Sequence, residues 1–296
     1  MYAPSSPDAP PQRAAQLALA CLDLTSLNGA DTEADIARLC ERARGPHGAP
    51  AAVCVWPRLA AFARREAPPA VAVAAVANFP DGSLDVARVV REVGQIVQAG
   101  AQEVDVVLPW RALLAGDEAG CARVLDAARR ACEGLRLKVI LESGELADPV
   151  RIQRAGELAL AAGADFLKTS TGKTRQGASP EAARTMLALI ARQARAAAAQ
   201  AAGGAAGLRV GFKASGGVRT VADAALYMGL VAQALGEQAV GPQRFRIGAS
   251  GLLDDIETVL GWPAGQAYPQ PQAGPGATAG TSAGTAAGTA ADSSPY

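Results

Sequence analysis

Four lysines, Lys138, Lys168, Lys173 and Lys213, stand against 24 arginines in this 296-residue sequence. A chain that charges its surface with arginine leaves its few lysines free for another task. Arginine stays protonated at any working pH, whereas burial or a neighbouring cation can take the proton from a lysine. A neutral lysine amine attacks a carbonyl and forms an imine, so these residues are candidate nucleophiles. Lys168 ends an apolar run in GADFLKTST, and Lys213 ends the next in LRVGFKASGG. On neighbouring strands about 4.8 Å apart, both side chains can point inward. Two ammonium groups about 5 Å apart repel by on the order of 3 kcal/mol at an effective dielectric of about 20, or about 2 pKa units. That repulsion is expected to leave one of them neutral. The competing reading is a pair of ordinary strand-end lysines snorkelling to solvent. Their occurrence on consecutive strands of a lysine-poor chain weighs against it.

Asp105 sits in QEVDVVLPW, an otherwise apolar run where an unpaired carboxylate would be costly to bury. Lys138, in LRLKVILES on the following run, is its expected partner. Asp105, Lys138 and Lys213 would then form a buried group able to pass protons, and a purely structural ion pair is the alternative.

The segment STGKT invites a nucleotide-binding reading, but that loop needs a glycine five residues before Gly172, and the residue there is Leu167. Three small-residue turns follow consecutive runs instead: Thr171, Gly172 and Lys173, then Gly216 and Gly217, then Gly248, Ala249, Ser250 and Gly251. The last opens into the helical pattern LLDDIETVL, whose free N–H groups would face an anion. Together these turns predict a phosphate site, with Lys173 adding charge.

Chemistry at strand ends requires strands held side by side. Between residues 13 and 263 the chain repeats an apolar run, a polar turn and an amphipathic helix. Eight strand candidates are centred near Leu22, Val53, Val73, Val106, Val139, Phe166, Val210 and Arg246, at the spacing of a βαβ unit. Eight even units predict one α/β domain, a closed (β/α)8 TIM barrel, whose strand C-termini carry the chemistry. An open doubly wound sheet is the rival, without its glycine fingerprint after the first strand. Asp148-Pro149 and Ser179-Pro180 are expected helix starts, with a capping side chain before a first-turn proline. In LDVARVVREVGQIVQAG, Val86, Val89, Val90, Val93, Ile96 and Val97 are expected to share one helix face, closed by Gly100. Residues 1–12 and 264–296 are small-residue, Pro- and Ser-rich segments expected to be disordered, and AAAAQAAGGAAG is expected to extend a helix before a loose connection.

Composition narrows the partners. The formal net charge of +0 gives no basic face for nucleic acid and no polybasic arm for a membrane, which points to a small-molecule substrate. Five cysteines without C-x-x-C spacing and a single histidine, His47, support neither a disulfide framework nor a metal site. With no signal-peptide pattern and no long apolar run, a cytoplasmic protein is expected. A homo-oligomer is compatible with all of this.

The segments LDLTSL, AAVCVWP, ANFPDG, EVDVVLPWRALLAG, LKVILESGEL, GADFLKTSTGK, VGFKASGGVRT and IGASGLL resemble, in order, signatures of the 2-deoxyribose-5-phosphate aldolase family over residues 16 to 262. The resemblance implies reversible cleavage of 2-deoxy-D-ribose 5-phosphate to D-glyceraldehyde 3-phosphate and acetaldehyde, with no metal or organic cofactor. It further implies that Lys168 forms the imine, that Lys213 lowers its pKa, and that Asp105 relays protons with Lys138 in support. Asp23 and Thr169 lie in matching segments and join the candidates. Gly251 stands where some members carry a second serine, and the chain ends in Tyr296, as do members whose terminal tyrosine folds back toward substrate. Alternatives are a Schiff-base aldolase for another sugar phosphate and a non-catalytic sugar-phosphate-binding barrel.

Overall fold

The structure is a computed structural model that describes residues 10–200 and 210–262. Eight strands form in the order β1 (Leu22–Thr25), β2 (Ala52–Val55), β3 (Ala72–Ala77), β4 (Glu103–Val107), β5 (Arg136–Ile140), β6 (Phe166–Lys168), β7 (Gly211–Ser215) and β8 (Phe245–Ala249). Each pairs in parallel with the next, and β8 returns to β1, so the sheet closes into a barrel. Seven of the eight expected centres fall inside strands; Val210 lies one residue ahead of β7.

Helices alternate with the strands: α1 (Pro11–Ala20), α2 (Glu33–Arg42), α3 (Pro57–Glu66), α4 (Val86–Gln98), α5 (Trp110–Leu114), α6 (Glu118–Ala131), α7 (Ser143–Leu146), α8 (Pro149–Ala161), α9 (Pro180–Gln200), α10 (Val221–Leu235) and α11 (Leu252–Val259). This is the (β/α)8 TIM barrel, with α1 packed on α10 and α11. Asp148 caps α8 by accepting from Val150 N and Arg151 N, and Ser179 Oγ caps α9 by accepting from Ala182 N at 3.2 Å. Each cap satisfies N–H groups that lack an intrahelical acceptor.

Three expectations need correction or limits. On α4, Val89, Val93 and Ile96 are buried, but Val90 and Val97 are 42% and 39% exposed. The six share one apolar stripe, and Val90 and Val97 lie along its solvent-facing edge. Pro11 and Gln12, placed in the N-terminal tail by composition, are the first residues of α1. Helix α9 carries the Ala-rich stretch to Gln200, whereas the Gly-rich connection at 201–209 and the tail with Tyr296 lie outside the described residues. Among the described residues no helix is long and apolar enough to cross a membrane.

Packing inside the barrel explains two glycines on its strands. A Cβ on Gly211 would meet the Phe166 ring at 2.3 Å, so glycine there lets an aromatic ring fill the interior. A Cβ on Gly248 would meet Lys213 Cε at 2.9 Å, so glycine there makes room for a lysine stem.

Candidate active site

Strand alternation sends Glu103 and Asp105 of β4 to the same side, two residues apart, and the ladder places Asp105 beside Lys138, Lys168 beside Lys213, and Lys213 beside Arg246. All six side chains point inward and meet. Lys168 Nζ and Lys213 Nζ both donate to Asp105 Oδ2, at 2.9 and 2.8 Å, and Lys138 Nζ donates to Asp105 Oδ1 at 2.7 Å. Asp23 of β1 accepts from Lys213 at 2.5 Å and from Arg246 at 2.6 Å. The two lysines thus face one another across a single carboxylate oxygen.

That oxygen alters the electrostatic account given by sequence. Burial is the largest influence on Lys168 and lowers it; Asp105 pulls it upward, and Lys213 lowers it further. The amine ends below its ordinary value of 10.5. Repulsion between the lysines therefore contributes but does not lead, because burial is the larger lowering influence. Burial would also lower Lys213, but Asp105 and Asp23 outweigh it and hold Lys213 as a raised, firmly protonated ammonium. Lys138 is raised too, as Asp105, Glu103 and Asp23 overcome the effect of burial. Burial alone would raise Asp105, yet Lys138, Lys168 and Lys213 hold it well below the ordinary carboxylate range. One amine is eased toward neutrality while its two lysine neighbours are kept charged.

Lys168 is the member of this group that lines a cavity of about 450 Å³ at the C-terminal mouth of the barrel. The same cavity is lined by Thr171, Gly172 and Lys173, by Gly216 and Gly217, and by Ser250 and Gly251. All three turns singled out by sequence therefore converge on one space. Gly172, Gly216 and Gly217 have φ of 74°, 86° and 93°, a region glycine reaches without strain. Close packing adds a second reason at Gly216, where a Cβ would stand 2.9 Å from Gly177 Cα. Gly251 is the N-cap of α11, so first-turn N–H groups open toward this corner.

A buried carboxylate fixes the first of these turns. Glu142, with φ of 56°, accepts from Thr171 N at 3.2 Å, Thr171 Oγ1 at 2.6 Å and Thr174 Oγ1 at 3.3 Å. Burial pushes its carboxyl upward against these bonds. Glu142→Ala would leave Thr171 donors buried without acceptors, and it is expected to lower the unfolding free energy by about 2–3 kcal/mol. A urea denaturation series compared with wild type measures this.

Other candidates take different places. Thr169 is buried away from the cavity lining: its hydroxyl donates to Ser215 O and accepts from Ser215 N, both at 2.9 Å, strapping β6 to β7. Glu103, Arg246, Glu142 and the cavity-lining Thr25, Ser26, Asn28 and Arg219 were not anticipated. The five cysteines are free and buried, and burial pushes the thiols of Cys40 and Cys121 up to about 11, so neither is a ready thiolate. Among the described residues no group of three or more His, Cys, Asp or Glu side chains could hold a metal ion.

Fold and site together define a class: a (β/α)8 barrel with a buried lysine array beneath a mouth built of small-residue turns. A family model described as DeoC/LacD family aldolase matches residues 17–255, and the chain belongs to that family. It is 45% identical over 253 residues to a deoxyribose-phosphate aldolase of Agrobacterium fabrum, covering 84% of this chain and 93% of the relative. Among solved structures, a Toxoplasma gondii ME49 protein provisionally named a deoxyribose-phosphate aldolase shares the fold at a TM-score of 0.76 and 24% identity, covering 86% of this chain and 96% of that one. The tetrameric deoxyribose phosphate aldolase of Aeropyrum pernix is similar at a TM-score of 0.63 and 26% identity, covering 84% and 91%.

Proposed function

We propose that the chain is a deoxyribose-phosphate aldolase that cleaves 2-deoxy-D-ribose 5-phosphate reversibly to D-glyceraldehyde 3-phosphate and acetaldehyde through an imine on Lys168. One observation carries the residue assignment: Lys168, 3% exposed and lowered by burial, reaches the same cavity as the three small-residue turns. Lys168 Nζ adds to the aldehyde carbon of the open-chain sugar, and loss of water with uptake of one proton gives the protonated imine. The hydroxyl on the third carbon then gives up its proton as the adjacent carbon–carbon bond breaks. The bonding pair moves toward the iminium nitrogen, leaving an enamine on Lys168 and an aldehyde on the departing glyceraldehyde 3-phosphate. Protonation of the enamine carbon and addition of water free acetaldehyde and the amine. Asp105, an ionised carboxylate in contact with Lys168, is placed to relay protons between that nitrogen and its ammonium partners Lys213 and Lys138.

The substrate phosphate sits at Thr171, Gly172, Lys173, Gly216, Gly217, Ser250 and Gly251, anchoring the sugar so that its carbonyl meets the amine. The partners are small molecules, a sugar phosphate and an aldehyde, rather than nucleic acid or a membrane surface, and the enzyme works in the cytoplasm. It assembles as a homo-oligomer, a reading supported by the tetramer of the Aeropyrum pernix relative.

Borohydride reduction in the presence of acetaldehyde tests the assignment. The expected product is an ethyl group on the Lys168 peptide, found by mass mapping, together with cleavage of deoxyribose 5-phosphate by the untreated enzyme. Binding of the sugar phosphate without cleavage would turn the reading into a non-catalytic barrel, and an adduct on another lysine would move the imine.

A further inference from the structure

Six charged side chains inside the barrel form a closed loop of alternating sign. Asp105 Oδ1 accepts from Lys138 at 2.7 Å, and Lys138 reaches Glu103 Oε2 at 2.6 Å. Arg246 spans Glu103 at 2.8 and 3.2 Å and reaches Asp23 at 2.6 Å. Asp23 accepts from Lys213 at 2.5 Å, and Lys213 returns to Asp105 Oδ2 at 2.8 Å. Three carboxylates and three cations thus balance without Lys168, which hangs from the same Asp105 oxygen at 2.9 Å. No ring member is more than 3% exposed, so water does little to offset an imbalance.

We propose that Glu103 and Arg246, which are absent from the cavity lining, are positioning residues that set how readily Lys168 gives up its proton by closing this balanced ring. The inference rests on Lys168 being the imine-forming amine. A proton on Lys168 is surplus charge beside a neutral ring, and its release leaves no carboxylate unpaired, because Asp105 retains Lys138 and Lys213. Without Arg246 the ring is one cation short, and a protonated Lys168 restores balance. Without Glu103 it carries one cation too many, and Lys168 sheds its proton more readily.

The charged and titratable surroundings of both groups fit this account. Lys168 is faced by Asp105 from β4, Lys213 from β7 and Cys54 from β2, and shares its cavity with Lys173 and Arg219. Lys138 of β5, Glu103 of β4, Arg246 of β8 and Asp23 of β1 complete the ring, and β3 supplies no titratable side chain. Around Arg246 stand Asp23, Glu103, Lys138 and Cys21. Arg136 also reaches Glu103, at 2.5 Å, from the start of β5, but its side chain is 31% exposed and solvent screens its charge.

Borohydride-trapped acetaldehyde on Lys168, measured across a pH series, reads the amount of free amine. In Arg246→Gln the acid-side midpoint is expected to rise by about one pH unit, a roughly tenfold loss of trapping rate below the midpoint, as for a unit charge removed roughly 10 Å away. Glu103→Gln is expected to lower the midpoint, and the double variant to bring it back to the wild-type value. Midpoints that stay at the wild-type pH while trapping falls at every pH would indicate a merely structural role and overturn the inference. If Arg246→Gln does not fold by circular dichroism, Glu103→Gln decides: a lowered midpoint supports the ring, and an unmoved or raised one overturns it. Failure of wild type to trap at Lys168 would instead bring down the imine assignment and this inference with it, which separates the two failures.

Discussion

Lys168→Arg is expected to abolish carbon–carbon cleavage, lowering kcat/KM by about 10⁴-fold or more, as when an enzyme loses its covalent nucleophile. The substitution keeps a long cationic side chain beside Asp105, so the loss isolates one property, the ability to become neutral. Arginine lacks that property at any pH where the protein survives. Raising the pH should therefore not rescue the variant, although it should rescue a lysine whose pKa had merely moved. Lys168→Met is the companion measurement, because it removes the amine without adding permanent charge. Lys168 is lowered from its ordinary 10.5 in the folded chain. The folded state therefore binds fewer protons there than the unfolded state, and this group's contribution to stability is lost as pH falls from 10.5 toward the folded value. Lys168→Met should be inactive, no less stable than wild type near neutral pH, and free of that part of the pH slope. Denaturant unfolding at several pH values checks the stability, and a coupled aldehyde assay checks the rate. Residual cleavage by Lys168→Arg within a hundredfold of wild type would show that the nucleophile lies elsewhere.

The lysines were legible because scarcity marked them and because each closes a run of strand-forming residues. Register was the missing information. Glu103 lies two residues before Asp105 and so shares its face, but a glutamate at the start of a strand reads equally well as a rim charge. Only the ladder that sets Lys213 beside Arg246 brings that guanidinium to Asp23 and Glu103, and no local pattern fixes a register between strands separated by α10. Glu142 was hidden for a related reason. Its role depends on a left-handed backbone that turns the carboxylate under Thr171, which the string LESGEL does not announce. Helix α4 was legible from its apolar stripe, but the pattern does not say which edge of the stripe faces the barrel, and Val90 and Val97 lie outward. The glycine turns were read correctly as turns, but at Gly216 the close approach that excludes a side chain is to Gly177 of the same chain, a contact between loops that strand order alone does not predict.

Asp105→Asn carries the largest expected combined effect, because Asp105 is the one carboxylate shared by three lysines. The amide keeps the shape and one acceptor oxygen but cancels the charge, leaving Lys138, Lys168 and Lys213 to share Asp23 and Glu103. Breaking a buried ion pair on one side typically costs about 3–5 kcal/mol, and a loss of that size is expected near neutral pH. Turnover should fall as well, by about 10²–10⁴-fold, since the variant loses the carboxylate proposed to relay protons at Lys168. The pH dependence has a definite sign. Asp105 is held well below its ordinary 3.8, so its stabilising contribution is complete above that value and is lost as pH falls through the folded one. The stability gap between wild type and Asp105→Asn should therefore be constant above pH 3.8 on the acid side and narrow below it. Urea unfolding at pH near 7 and at progressively lower values reads this directly. A gap independent of pH down to full acid unfolding would mean that Asp105 contributes shape rather than charge, and the proton-handling role assigned to it would then have no electrostatic basis.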